Sequence, residues 1–318
     1  MKRMMIQLIA FSTILLLTFS SVQNPFANDY LSQMKQAAIT VSTVHDDLFK
    51  EIESKKAEYE IQPQNAEIHK VWKATPGYNG LSVDVEKSYE NMKKDGVFDP
   101  KRLVFKEVPP SVHLSDLPPQ PIYRGHPDKQ MVAFLINVAW GNEYIPTMLE
   151  ILKKHKVTAT FFLEGRWVKE NPELAKMIVD AGHEVGNHSY SHPNLKTMTG
   201  TLVRDQLVNT NEVIEATTGV TPKWFAPPSG SYRQEVVEIA SELNMRTIMW
   251  SVDTIDWQKP SPEVLINRVM QKVHPGALIL MHPTESTSQS LDRLIVQIKE
   301  KKLKISNVSN LLSEKRVE

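Results

Sequence analysis

The residues best suited to catalysis or metal binding lie in four short clusters, each just after a segment with strand character. His188 and His192 stand four residues apart, a spacing that lets two imidazoles face one metal ion. The other clusters are Ala226–Gly230, Asp253–Trp257 and His282. Any one of them is weak evidence, since a histidine pair at this spacing is more often structural. Four in order, each at the carboxyl end of a strand, predict a single site, because α/β folds build their sites at that edge.

The elements that position these clusters alternate between strand and helix from residue 127 onward. Runs of apolar, β-branched and aromatic residues predict buried strands over Val132–Ile136, Val157–Leu163, Trp224–Ala226, Arg246–Trp250 and Ala277–Met281. Apolar periodicity and caps predict helices over Leu202–Thr218, Glu235–Leu243 and Leu291–Lys299, and after cap residues Asn142, Asn171 and Ser261. Repeated βα units predict an α/β fold with a parallel sheet, either open and doubly wound or closed into a (β/α) barrel.

The N-terminal region has the pattern of an export signal. Lys2 and Arg3 precede the apolar run Met4–Phe19, which predicts a signal peptide or an uncleaved membrane anchor within residues 1–27. The run is short for a transmembrane helix, which needs about 20 apolar residues. We therefore expect a secreted or cell-membrane-anchored protein of the cell envelope, with cleavage and retention both open.

Between this segment and the βα units lies a region to which the sequence assigns no chemistry. Residues 28–108 are predicted to form a mainly helical extension that opens with an amphipathic helix over Asn28–Glu60. Prolines crowd residues 109–126, which predicts a linker, because proline fixes φ and removes a hydrogen-bond donor. The domain that carries the site is then expected over residues 127–318.

Composition excludes several classes of function. The 318 residues include 37 Lys and Arg against 37 Asp and Glu, so no basic surplus favours nucleic acid as a partner. The chain has no cysteine, which excludes disulfides, zinc-thiolate sites, thiol nucleophiles and a lipoprotein anchor.

From about Pro127 to Asn310 the sequence resembles the polysaccharide deacetylases, the NodB-homology domain of carbohydrate esterase family 4 (CE4). The phrases ATFFLEG at Ala159–Gly165 and GHEVGNHSYSHP at Gly182–Pro193, with the order and spacing of the four clusters, carry the resemblance. It looks most like the sporulation-associated deacetylase-like proteins of Bacillus-type bacteria, given the phrase VAWGNEY and the N-terminal extension. The resemblance implies a distorted (β/α) barrel and N-deacetylation, the hydrolysis of a non-peptide C–N bond, on a glycan such as peptidoglycan.

The mechanism implied by this resemblance needs a metal and two proton carriers. A divalent ion, zinc or cobalt, is held by one Asp and two His, where it polarises the acetamide carbonyl and lowers the pKa of a bound water. A second Asp takes the proton of that water, and an Arg orients this base. A His protonates the leaving amine. The positions that match these roles are the metal ligands His188 and His192, the acid His282, its partner Asp256, and the substrate-contacting Trp257, Leu280 and Pro228.

Three further positions depart from the family pattern. Asn137 stands where the base belongs, and an amide cannot accept the proton. Val138 stands where the third metal ligand belongs, and Ala226 replaces the Arg that orients the base. Loss of both members of an ion pair avoids an unpaired buried charge, so the two changes belong together. The sequence therefore predicts impaired catalysis and weak or absent metal binding.

Three hypotheses about function remain open at this point. A degenerate deacetylase would bind N-acetylated glycan without cleaving it, with Trp257 against the sugar. An active enzyme with relocated groups would use Glu143, although an acid there also suits the start of a helix. A non-catalytic envelope or spore assembly protein would work through its N-terminal region.

Overall fold

A computed structural model describes Phe11 and residues 47–317 of the chain. Apart from Phe11, the signal or anchor segment at 1–27 and the first part of the helix expected over Asn28–Glu60 lie outside the described residues. Among the helices that are described, none combines the length and the apolar character that a membrane span requires.

The described residues before the main sheet form short helices and strands. They are α1 (Asp47–Lys55), β1 (Glu67–His69), β2 (Lys73–Thr75), β3 (Gly80–Val83), α2 (Val85–Met92) and β4 (Phe105–Val108). Leu48 and Ile52 of α1 pack against Met92 of α2 in a small apolar cluster. Strands β1 and β2 pair antiparallel as a hairpin.

The main sheet has eight strands, all paired in parallel with their neighbours. They are β5 (Met131–Val138), β6 (Thr160–Leu163), β7 (Glu184–Asn187), β8 (Trp224–Phe225), β9 (Arg246–Thr247), β10 (Val252–Asp253), β11 (Leu278–Met281) and β12 (Lys304–Ser306). Their order is β10-β11-β5-β6-β7-β8-β9, with β12 also beside β5. The sheet curls around an apolar interior, which confirms the distorted (β/α) barrel.

Helices follow most of these strands and cover the outside of the sheet. They are α3 (Ile145–Lys154), α4 (Gly165–Glu170), α5 (Pro172–Asp180), α6 (Gly200–Thr218), α7 (Gln234–Glu242), α8 (Pro262–Lys272), α9 (Glu285–Glu300) and α10 (Val308–Leu312). Helix α8 begins as the sequence predicts, because the Ser261 hydroxyl accepts the Val264 N–H. Asn142 does not cap a helix. Its side chain instead bonds Trp167 and Asn171, so the cap prediction was wrong.

Strand β5 shows how the fold separates two apolar layers. Val132, Phe134, Ile136 and Val138 pack outward against the helices, whereas Met131, Ala133 and Leu135 pack inward with Phe162 and Leu280. Burial of each aliphatic side chain contributes roughly 1.5–3 kcal/mol, so a slip of one residue is strongly disfavoured. The alternation places Asn137 as the last inward position of β5, at the carboxyl edge of the barrel.

The compact units of the structure do not follow the domain boundaries expected from the prolines. One unit holds Ser82–Lys106 with the described residues up to Glu60, and the other holds Ile61–Leu81 with residues 107–317. The proline-rich stretch is part of the barrel unit because Ile122, which is fully buried, bridges Lys73 and Ile248. Proline marks an extended segment here, and tertiary contacts fix it to the barrel.

His183, just before β7, makes the stability of the barrel depend on pH. Its ring is buried beside Phe161, and its Nδ1 accepts the Ala159 N–H at 3.2 Å. Burial lowers the pKa of His183 to about 4, from the ordinary value of 6.5. Between these values the unfolded chain binds a proton that the folded protein resists, so stability falls as the pH falls from 6.5 towards 4.

We expect His183→Asn to remove this part of the acid sensitivity, since Asn offers an acceptor near the Nδ1 position and does not titrate. The acid-induced loss of unfolding free energy that this substitution abolishes is roughly 2–3 kcal/mol. Urea unfolding of both proteins between pH 7 and pH 4 gives the unfolding free energy at each pH. The effect of His183 is the difference between the two slopes of this free energy against pH, because the other histidines contribute equally to both proteins. Equal slopes would contradict the prediction.

Candidate active site

The two histidines of the predicted metal pair lie together after β7. Their ring centroids are 5.1 Å apart. His188 is buried and its Nδ1 donates to the carbonyl of Ala226 at 2.7 Å, which leaves its Nε2 lone pair free. Burial lowers the pKa of His188 to about 3, with a further lowering from His192, so its ring is neutral at pH 7. Burial also lowers the pKa of His192.

The half-buried His282 and the buried Asp256 form a hydrogen-bonded pair at the edge of β11. The Asp256 carboxylate is fully buried and accepts three hydrogen bonds: from His282 Nδ1 at 2.8 Å, from His282 N at 2.6 Å and from the Thr287 hydroxyl at 2.6 Å. With its Nδ1 held in this way, the imidazole has a fixed orientation. The two residues expected to act as the acid and its partner therefore lie within hydrogen-bonding distance of each other.

The first departure from the family pattern lies at the end of β5. Asn137 is buried, lines the same pocket as His188, His192 and His282, and its Oδ1 has no hydrogen-bond partner among the described residues. Val138 is also fully buried, but its side chain packs in the outward layer against the helices. The position expected for the third metal ligand thus holds an apolar side chain directed away from the pocket.

In the third cluster, Ala226–Gly230, an apolar side chain stands where the family has an arginine, and a backbone carbonyl contacts the histidine pair. Ala226 packs in the apolar interior, and its carbonyl is the acceptor for His188. Its methyl group needs no charged partner, which fits the absence of a carboxylate at Asn137. Pro228, predicted to contact substrate, is buried, and its neighbour Ser229 lines the pocket.

Four non-glycine residues in the loops around this pocket have strained backbone conformations. Ser189, His192, Ser229 and Ile255 have positive φ values of 63°, 56°, 53° and 51°. Positive φ is uncommon outside glycine, and for a β-branched residue such as isoleucine it is an outlier. Such conformations persist only where the surroundings hold them, and they cluster at functional sites.

Three tryptophans line the pocket, Trp140, Trp250 and Trp257, and the sequence predicts a role only for Trp257. Trp257, predicted to contact substrate, is 56% exposed, and Leu280 lies at the base, where the acetyl wall was expected. Trp140 is 44% exposed and stacks on the His282 ring at 5.2 Å and 16°. Its signal in the sequence was an aromatic residue just after the degenerate first motif.

The residues present do not fit a catalytic metal centre. A catalytic zinc ion usually has three protein ligands. Among the described residues, no three His, Cys, Asp or Glu side chains come close enough together to hold a metal ion. The imidazole pair remains, and Val138 supplies no donor atom.

Two carboxylates lie near the pocket without forming a base and metal site. Asp253 lines it, and its Oδ1 accepts the Ile255 N–H at 2.8 Å. Glu143 lies in a short 3₁₀ turn before α3 and lines the neighbouring cavity, not the pocket of the histidines. The structure therefore does not place Glu143 where Asn137 stands.

Comparison with known proteins establishes the family. A model of the polysaccharide deacetylase family matches residues 124–248. Peptidoglycan-N-acetylmuramic acid deacetylase PdaA of Bacillus subtilis is 32% identical over 200 residues, which cover 61% of this chain and 76% of PdaA. The protein YlxY of Bacillus subtilis is 57% identical over 300 residues, 94% of each chain. This chain belongs to the polysaccharide deacetylase family.

One similar solved structure is that of a family member described as a pseudoenzyme. A protein from Bacillus anthracis, described as a CE4 family pseudoenzyme, is 64% identical, with a TM-score of 0.81 over 86% of this chain and 97% of that one. A mutant of a protein so described has restored enzymatic activity. These findings confirm the predicted family and fold, and they agree with impaired catalysis.

Proposed function

We propose that this protein binds N-acetylated glycan of the cell envelope, such as peptidoglycan, in its degenerate site without hydrolysing it. The observation that carries the proposal is the pocket of about 380 Å³ at the carboxyl ends of the strands. It keeps the aromatic walls that suit the apolar face of a sugar, while the carboxylate base is replaced by Asn137.

Two tryptophans extend this pocket into a groove. Trp140 and Trp257 line both the pocket of the histidines and an adjoining cavity of about 750 Å³. A chain of several sugars would lie across both, with one indole on either side. The unpartnered Oδ1 of Asn137 supports a ligand that donates a hydrogen bond, as hydroxyl and acetamide N–H groups do.

The same proposal implies where in the cell the protein lies and what it binds. PdaA, which matches this chain, is named as a peptidoglycan deacetylase, and that supports an extracytoplasmic glycan. The protein would be secreted, or attached to the membrane through residues 1–27. Residues 28–108 would form the extension, of which Ile61–Leu81 belong to the barrel unit, and residues 109–126 of that unit would lead to the deacetylase-like domain at 127–318. Any metal would bind His188 and His192 weakly.

We expect Trp257→Ala to lower the affinity for N-acetylglucosamine oligomers and soluble peptidoglycan fragments about tenfold, or about 1.4 kcal/mol. The mutation removes the exposed ring from the groove and leaves the core intact. Isothermal titration calorimetry measures the loss, and an acetate assay on the same samples should show no turnover.

Two variants serve as controls for this prediction. Trp257→Phe keeps an aromatic face and should lose less affinity. Met177→Ala removes an apolar side chain of α5 that is 43% exposed and lies outside the groove, and it should bind as the native protein does. Unchanged binding by Trp257→Ala would count against the proposed function.

A further inference from the structure

A second cavity lies at the opposite end of the barrel from the degenerate site. It has a volume of about 430 Å³, within the range of roughly 300–1,000 Å³ that small-molecule sites occupy. Arg124 lines it and pairs with Ala277, the residue before β11, so the cavity lies at the amino ends of the strands. The hairpin of β1 and β2 supplies much of the rest of its wall.

The loop of the hairpin carries Trp72, and a hydrogen-bonded histidine side chain fixes the conformation of this loop. His69 Nδ1 accepts the N–H groups of Val71 and Trp72, both at 3.1 Å, which fixes the turn that carries Trp72. The Arg124 guanidinium lies 5.5 Å from the indole centroid. Trp72 is only half-buried and lines the cavity, so it offers apolar ring surface to a ligand.

Several polar groups around the indole have unused hydrogen-bonding capacity. Arg124 donates from Nε and Nη2 to the carbonyls of Gly125 and Pro275, and no carboxylate among the described residues lies within ion-pair distance of it. Thr75 is 6% exposed, and its hydroxyl has no hydrogen-bond partner in the part of the chain that is described. A buried hydroxyl without a partner is costly, so this one suits a ligand or a bound water.

The charges around the cavity select a neutral ligand. Arg124 contributes one cation and Glu67 one anion to the lining. His126, buried and stacked on Tyr78, has its pKa lowered by burial and stays uncharged at pH 7. A phosphate or another anion would meet the Glu67 carboxylate, whereas a ring with hydroxyl and amide groups would find an aromatic face, a donor and an acceptor.

We propose that this cavity is a second saccharide-binding site, which holds one N-acetylated sugar against Trp72 between Arg124 and Glu67. The proposal rests on the proposed function, since both sites would bind the same class of glycan. With sites at both ends of the barrel, the protein binds one long strand or bridges two strands, and a polymer binds more tightly than a short oligomer does.

The test is the stoichiometry of binding, measured by calorimetry on the full-length protein with the N-acetylglucosamine pentamer and with soluble peptidoglycan fragments that contain N-acetylmuramic acid. The native protein is expected to bind two ligands. Trp72→Ala should weaken the second site about tenfold and leave the site at Trp257 at its native affinity, Trp257→Ala should do the reverse, and the double variant should be weakened at both sites. Glu67→Gln, which removes one charge from an exposed strand, should weaken the second site about tenfold.

The outcomes separate the two proposals. If the native protein binds a single ligand, Trp72→Ala and Glu67→Gln bind as it does and Trp257→Ala weakens that binding, the second site is wrong and the proposed function stands. If Trp257→Ala changes nothing and Trp72→Ala weakens the binding of a single ligand, the second site stands and the proposed function fails. No binding of either probe by the native protein overturns both. Val71→Ala, an exposed neighbour outside the cavity, and the melting temperature of each variant control for loss of the hairpin fold.

Discussion

A variant carrying Asn137→Asp, Val138→Asp and Ala226→Arg is expected to release acetate from N-acetylated glycans when zinc or cobalt is added, whereas the native protein releases none. Asn137 is the last inward position of β5 and lines the pocket of the histidines, so a carboxylate there stands where a base is needed. General base catalysis alone contributes about 10²–10⁴-fold in rate. Acetate release is measured on chitooligomers and on peptidoglycan.

The three substitutions depend on one another. Ala226 packs in the apolar interior, so Ala226→Arg alone buries an unpaired cation and should lower stability by about 3–5 kcal/mol. Asn137→Asp supplies the partner and should recover much of that loss, which a double-mutant cycle on unfolding free energies measures. The pair is therefore expected to be more stable than the sum of its single variants.

Val138→Asp tests metal binding separately from base catalysis. A third ligand should raise zinc affinity above that of the two imidazoles, as measured by competition with a chelator. The Val138 side chain packs in the outward layer, so an Asp there must turn towards the pocket at the end of β5. Unchanged zinc affinity in a folded variant would show that this position does not reach the metal.

Controls assign any restored activity to the pocket. His282→Ala in the triple variant removes the acid and should abolish most of the activity. If the folded, zinc-loaded triple variant releases no acetate from any glycan, the groove is not that of a deacetylase. If the native protein itself releases acetate, impaired catalysis is wrong, and Asp253 and Glu143 become the first candidates for the base.

Asp256→Ala is expected to destabilise the folded protein by about 3–5 kcal/mol, the range for removing one member of a buried hydrogen-bonded pair. The carboxylate is fully buried and accepts bonds from His282 Nδ1, His282 N and Thr287 Oγ1. Its loss leaves three donors without an acceptor. Urea unfolding of the native and mutant proteins measures the difference.

Asp253→Ala is the matched control for this second prediction. It removes a carboxylate of the pocket of the histidines that is only half-buried and accepts one backbone N–H, so its cost should stay near 1 kcal/mol. Asp256→Asn keeps the shape but turns an amide N–H₂ towards the donors, and it should recover only part of the stability. A loss below about 1 kcal/mol in Asp256→Ala would contradict a structural role for this pair.

Particular residues show how far the sequence could predict this site. His188, His192 and His282 each follow a strand, and the parallel sheet brings them to one pocket, with Asp256 hydrogen-bonded to His282. Trp140 was given no role, because its stacking on His282 joins two loops far apart in the chain. Pro228 was predicted to contact substrate, and the local turn presents Ser229 to the pocket instead.

The sequence by itself determined the βα order, the family and the three missing functional groups, because these depend on residue type, local periodicity and motif spacing. Tertiary structure decided which way each side chain faces and what surrounds it. The alternation along β5 turned Asn137 into the pocket and Val138 away from it. Packing also fixed the proline-rich segment and the β1–β2 hairpin to the barrel unit, since contacts between residues distant in the chain leave little trace in local patterns.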